Sequence, residues 1–144
     1  MADQTQSYAN HVRWDPTFHF LMVPVSALMA VFFVRDAIRS STPRNLLFAF
    51  AAIVAVVAVF KIRLYALKVQ DRLIRLEERL RLMQLLPAEK HARIAELRPR
   101  QLVALRFACD AEVAALAERC WNEKLEPKQI KQAIKEWRAD FFRV

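Results

Sequence analysis

His11, Asp15 and His19 recur at intervals of four near the start of the chain. On a continuous helix that spacing stacks two imidazoles and a carboxylate on one face, a set able to hold a transition metal or a haem iron. Pro16 interrupts the pattern. A helix with Asp15 as its N-cap and Pro16 as its first residue leaves His11 outside. The simpler reading puts Trp14 and His19 at headgroup depth in a membrane interface. His91 could join Glu89, Glu96 and the cysteines in an acid–base group, but no spacing enforces one, and a solvated histidine on a short helix is expected. Cys109 and Cys120 do not match a CxxC-type pair. On one helix they would share a face about 16 Å apart, too far for a disulfide, which leaves them as small core residues in a reducing compartment. No cofactor, catalytic group or small-molecule substrate is expected.

Composition removes further classes. The 144 residues contain no glycine, which excludes glycine-rich phosphate loops and the glycine turns of tight hairpins. Serine and threonine end at Thr42, so the rest of the chain offers no aliphatic hydroxyl nucleophile. Hydrophobic residues make up 56% and charged residues 26%, and the two kinds sit in separate blocks.

Those blocks define the elements. Residues 16–34 carry no formal charge between Asp15 and Arg35, and residues 45–60 carry none between Arg44 and Lys61. The first run approaches the ~30 Å of a bilayer core as a helix; the second does so once Lys61 and Arg63 snorkel to the headgroups. The loop 35–44 contains Ser40, Ser41, Thr42 and Pro43, which favour a turn. Ser26 and Ala30, with Ala51, Ala55 and Ala58, offer small residues for close helix packing. Seven basic residues flank the two spans on the side of the termini (Arg13, Lys61, Arg63, Lys68, Arg72, Arg75, Arg79), against Arg35, Arg39 and Arg44 in the loop. That asymmetry predicts both termini in the cytoplasm.

No helix breaker follows Phe60 until Pro87, so the second span should continue as one helix of about 40 residues. Along it Ile62, Tyr65, Val69, Leu73, Leu76, Leu80 and Met83 follow at heptad-like spacings with one irregular step. Leu73, Leu76, Leu80 and Met83 form an interaction seam that either joins chains or packs on the chain's own later helices. Asp71 with Arg75 and Glu77 with Arg81 are favourable i,i+4 pairs. Pro87, Pro99 and Pro127 then predict helices over 88–97, 99–124 and 127–140. Leu102, Leu105, Cys109, Val113, Leu116 and Cys120 supply the apolar face of the middle helix; Ile130, Ile134, Trp137 and Phe141 supply that of the last.

The net charge is +8, nearly all of it from Lys61 onward. A basic segment beside a bilayer is drawn to anionic lipid, and no nucleic-acid-binding motif accompanies it. Lys61 and Arg63 at the bilayer edge are candidate contacts for lipid or for an acidic partner. So are Lys128, Lys131, Lys135 and Arg138, which with Lys124 recur at helical spacing opposite the apolar face of the last helix.

Tyr8 to Arg13 with Asp15, Pro16 and His19, Tyr65 to Arg72 running through Leu76 to Arg81, Gln101-Leu102 through Arg106 to Ala108, and Ile130 to Lys135 with Trp137 to Asp140 resemble a family of small bacterial two-span membrane proteins of unknown function. The resemblance covers nearly the whole chain and implies the inner membrane of a bacterium. It also implies weaker helix caps at Arg98 and Glu126, where Ser or Thr would be expected before the proline.

The expected protein is all-α. A cytoplasmic tail (1–15) leads to a transmembrane hairpin (16–60), a juxtamembrane amphipathic or coiled-coil helix (61–86) and a small cytoplasmic helical bundle (87–144). The expected role is that of a non-catalytic membrane scaffold, homo-oligomeric or part of a larger complex. The alternative is an accessory subunit of a transport or respiratory complex with a histidine-based metal or haem site.

Overall fold

A computed structural model describes residues 6–10 and 14–140. His11, Arg13 and Phe141 therefore lie outside the described residues. The chain divides into two compact units, Arg13–Lys68 and Val69–Arg143, the second joined by Met1–Val12.

The first unit is a helical hairpin. Asp15 caps its opening helix: Oδ1 accepts the Phe18 N–H at 3.1 Å and the backbone carbonyl accepts that of His19 at 3.0 Å. The helix, α1 (Thr17–Arg39), starts with wide π-helical turns over Thr17–Met22. These end two residues before Pro24, which has no N–H to donate and whose ring crowds a tighter turn. Helix α1 runs five residues past the apolar block, so the connection shrinks to Ser40–Thr42. Thr42 Oγ1 then accepts the Asn45 N–H at 3.2 Å and Pro43 takes the first position of α2 (Pro43–Leu85), a single helix of 43 residues.

Ring contacts of Phe18 with Phe60 (6.0 Å) and Phe33 with Phe48 (5.5 Å) set the two helices antiparallel. The small-residue face is displaced from the predicted one. Ala52, Ala49 and Ala37 are buried, whereas Ala51, Ala55 and Ala58 are exposed. Alanines occupy several faces of this helix, so composition alone could not single out the one in contact.

The second unit is built on a core of Leu82, Ile94, Leu102, Leu105, Phe107, Val113 and Ile130. After Pro87 the predicted α-helix is instead a 3₁₀ segment, Ala88–Glu96. His91, Ile94 and Leu97 recur every three residues, which matches a three-residue turn. The single helix expected over 99–124 is broken into α3 (Pro99–Leu105) and α4 (Asp110–Glu123). The break is imposed from outside: Cys109 N–H donates to Glu136 O (3.1 Å), Arg138 N–H donates to Phe107 O (2.7 Å), and Ala108 pairs with Trp137 in an antiparallel bridge. The same pairing ends α5 (Pro127–Ala133) well before the predicted Asp140. Glu112 assists by accepting the N–H groups of Lys135 and Glu136, each at 3.1 Å.

Helices α3 and α5 are capped from their third residue. Gln101 Oε1 accepts the Arg98 N–H (2.8 Å) and Gln129 Oε1 that of Glu126 (2.7 Å), which supplies one half of a capping box without Ser or Thr. Helix α4 ends at Lys124 in the left-handed conformation, φ 56°. Glycine normally fills this position because a Cβ crowds the carbonyl there. Lys124→Gly is expected to stabilise the unit by about 0.5–1 kcal/mol, read from the midpoint of urea unfolding.

Candidate functional site

Beyond Val69, α2 presents two opposed faces. Ile74, Glu78 and Leu82 are buried, while Val69, Leu73, Leu76, Leu80 and Met83 are each about half or more exposed. At about 100° per residue the two sets lie on opposite sides of the helix. The predicted seam is thus a real stripe, and among the described residues it is left largely exposed. Helix α2 docks by the other face instead.

That docking face carries a buried charge cluster. Arg81 Nη1 donates to Glu78 Oε2 at 3.1 Å, its Nε to Asp110 Oδ1 at 2.7 Å and its Nη2 to the Ala108 carbonyl at 2.7 Å. Arg138 Nη1 approaches the same Glu78 carboxylate at 3.6 Å, and Arg106 Nε faces Asp140 at 3.0 Å. Gln6 closes the edge by accepting the Asp140 N–H at 2.9 Å. Burial pushes the Glu78 carboxyl above its ordinary range, against the opposing pull of Arg81, Arg138 and Arg106. A small pocket beside it is lined by residues that include Leu73, Glu77, Glu78, Arg106, Arg138 and Asp140. Opposite charges alternate around its wall, and those of Glu78, Arg106, Arg138 and Asp140 satisfy one another. The cluster fastens α2 to the turn between α3 and α4 and to the tail.

These partners displace the predicted helix pairs. Arg81 turns to Glu78 and Asp110 rather than Glu77, and Arg75 Nε donates to the Asp71 backbone carbonyl (2.9 Å) rather than its carboxylate. Sequence reading missed Glu78, Arg106 and Asp110 entirely. Glu78 gives no signal among the charges of residues 71–81, Arg106 and Asp110 stand out only as charge beside apolar residues, and charge on an amphipathic helix ordinarily means solvent.

The other candidates separate. Asp15 is occupied by its capping bond and by Arg63 Nη1 at 3.2 Å, so Arg63 ties the two helices of the hairpin together. Arg63 also lies over the Phe18 ring, 5.3 Å from its centroid. His19 Nδ1 bonds the Asp15 carbonyl at 2.8 Å. Among the described residues no three His, Cys, Asp or Glu side chains gather as a metal set. His91 is half-buried, not solvated, with Nε2 on the Leu86 carbonyl at 2.9 Å, and Glu96 pairs with Arg93 at 3.6 Å. Cys109 sits at the N-cap of α4, so the two cysteines do not share one helix face. Burial pushes the Cys120 thiol up to about 11, which keeps it protonated at neutral pH.

The basic stripe is also rearranged. Lys128 and Lys131 lie on α5, Lys131 with its Nζ 5.5 Å from the Phe107 ring centroid. Lys135 and Arg138 lie beyond the helix, in the segment that pairs with the α3–α4 turn, and Lys124 ends α4. The five therefore do not form one helical face. At the other end of the basic region, Lys61 and Lys68 flank the Tyr65 ring at 5.8 and 5.9 Å.

A family model described as a family of unknown function (DUF6526) matches residues 1–144. No curated protein and no solved structure matches the chain.

Proposed function

We propose that this chain, which belongs over residues 1–144 to the family of unknown function DUF6526, is a non-catalytic membrane-anchored interaction protein. The observation that carries the reading is the apolar surface of the hairpin. Thr17–Arg39 and Pro43–Leu85 are both long and apolar enough to cross a membrane, yet their most apolar stretches are only 11% buried. Phe20, Leu28, Val31 and Phe50 are 65–72% exposed. The core helix of a soluble protein would bury such side chains; a lipid-facing helix would not.

The anchor tethers the second unit to the inner membrane of a bacterium, with both termini on the cytoplasmic side, as the basic flanks favour. Tyr65 between Lys61 and Lys68 suits the headgroup region, with an amphipathic ring beside two cations that attract anionic lipid. The exposed seam of α2 is the surface offered to a protein partner.

Reporter fusions test the arrangement. A fusion after Val144 is expected to show cytoplasmic activity and one after Ser41 periplasmic activity. The chain should also resist extraction from membranes by alkaline carbonate. Release by carbonate, or a periplasmic signal at Val144, would overturn the reading.

A further inference from the structure

We propose that the seam of α2 is occupied by a second copy of this chain, parallel and in register, an inference that rests on the anchored-interaction reading above. Val69, Leu73, Leu76, Leu80 and Met83 follow at spacings of 4, 3, 4 and 3 with no irregular step, the a/d pattern of a two-stranded coiled coil. The residues beside this stripe are unlike on its two sides. Arg72 and Arg79 flank it at the g positions; Gln70, Glu77 and Gln84 flank it at the e positions.

That asymmetry selects an orientation. In a parallel pair each g residue faces the e residue five positions later on the partner, which sets Arg72 opposite Glu77 twice and Arg79 opposite Gln84. In an antiparallel pair g faces g and e faces e, which brings arginine against arginine and Glu77 against itself. The within-chain pairing leaves these charges available: Arg81 takes Glu78 and Asp110, and among the described residues Glu77, Arg72 and Arg79 form no ion pair. All three are exposed. Arg72, Arg79, Val69 and Leu76 line an open groove along the stripe, the form of a surface that accepts knobs from a neighbouring helix.

Anchoring acts in the same direction. Two copies inserted alike in one bilayer present their α2 helices with the same polarity, so the parallel arrangement is the one they can adopt. Five seam residues would form a marginal coiled coil in free solution. Confinement to a membrane raises the effective concentration and removes much of the orientational cost that a short seam could not offset.

The test uses the full-length chain in native membranes, with Val69→Cys and Met83→Cys made separately and the unaltered chain as the control for Cys109 and Cys120. The two positions are about 21 Å apart along the helix. Mild oxidation is expected to give a disulfide-linked dimer of each variant alone. Cross-linking only when the two variants are mixed would mean an antiparallel pair and would overturn the proposal.

Charge variants provide the second measurement, as dimer fraction against lipid dilution in reconstituted bilayers. Arg72→Glu should weaken dimerisation about three- to tenfold, and adding Glu77→Arg should restore it to within about threefold. Leu76→Asp should weaken it about a hundredfold or more by burying an unpaired carboxylate. A chain that resists carbonate but forms no homotypic cross-link overturns the pairing and leaves the anchored reading standing. A chain that carbonate releases overturns both.

Discussion

Arg81→Met is expected to lower the unfolding free energy of the second unit by about 3–5 kcal/mol at pH 7, because it leaves a buried carboxylate without its principal counter-ion. Among the described residues, Arg81 alone bonds Glu78, Asp110 and the Ala108 carbonyl together. Methionine keeps most of the aliphatic stem, so lost packing contributes little. Arg138 and Arg106 remain, but Arg138 stands 3.6 Å away from a more exposed position and Arg106 is engaged with Asp140, so both are weaker partners.

The pH dependence separates this cause from a general packing defect. The folded protein holds the Glu78 carboxyl above its ordinary value of 4.5, because burial opposes the charged form more strongly than the arginines favour it. The neutral carboxyl is therefore the better-tolerated form. Its contribution to stability is complete below the unfolded value and is lost as pH rises through the raised, folded one. Removing Arg81 raises the folded value further, so the deficit of the variant is widest at neutral pH and narrows toward pH 4. Adding Glu78→Gln to Arg81→Met should recover a substantial part of the loss at pH 7. Urea unfolding of the full chain in detergent, followed through Trp121 and Trp137, measures both effects. A deficit equal at pH 4 and pH 7 would assign Arg81 a packing role only.

The cluster also marks where sequence reading stops. The length of α2 was legible because no proline or glycine interrupts residues 44–86, and the hairpin was legible because two uncharged blocks flank a Ser-Ser-Thr-Pro turn. The orientation of α2 was not. Periodicity reveals that a helix has an apolar stripe, but not what the stripe faces, and here burial runs against side-chain type. Glu78 is buried while Leu76 and Leu80 stand exposed. The break between α3 and α4 was hidden for a related reason. Residues 99–124 have helical periodicity throughout, and only the backbone of Glu136 to Arg138, far along the chain, diverts Phe107 to Cys109 from a helix. The caps at Gln101 and Gln129 were readable in principle as a repeated Pro-x-Gln.

The two faces of α2 can be told apart with two leucines that stand two positions apart. Leu82 is fully buried against the bundle, whereas Leu80 is 52% exposed on the seam. Leu82→Ala removes a side chain enclosed by core residues that include Ile94, Leu105 and Phe107, and should cost about 2–5 kcal/mol, the range for a buried leucine that leaves a cavity. Leu80→Ala deletes the same atoms from a surface and should change the unfolding of the unit by no more than about 0.5 kcal/mol under dilute conditions in which chains are separate. Its effect belongs to association, where an a-position leucine lost from each helix weakens the pair. The two variants thus dissociate the measurements: Leu82→Ala unfolds early whatever the lipid dilution, while Leu80→Ala keeps the stability of the isolated chain and loses dimer. If Leu80→Ala instead destabilised the separated chain as much as Leu82→Ala, the seam would have to be packed within the chain, and the face that α2 turns to the bundle would be the wrong one. The same length of helix would then be serving its own fold twice, with no surface left for a partner.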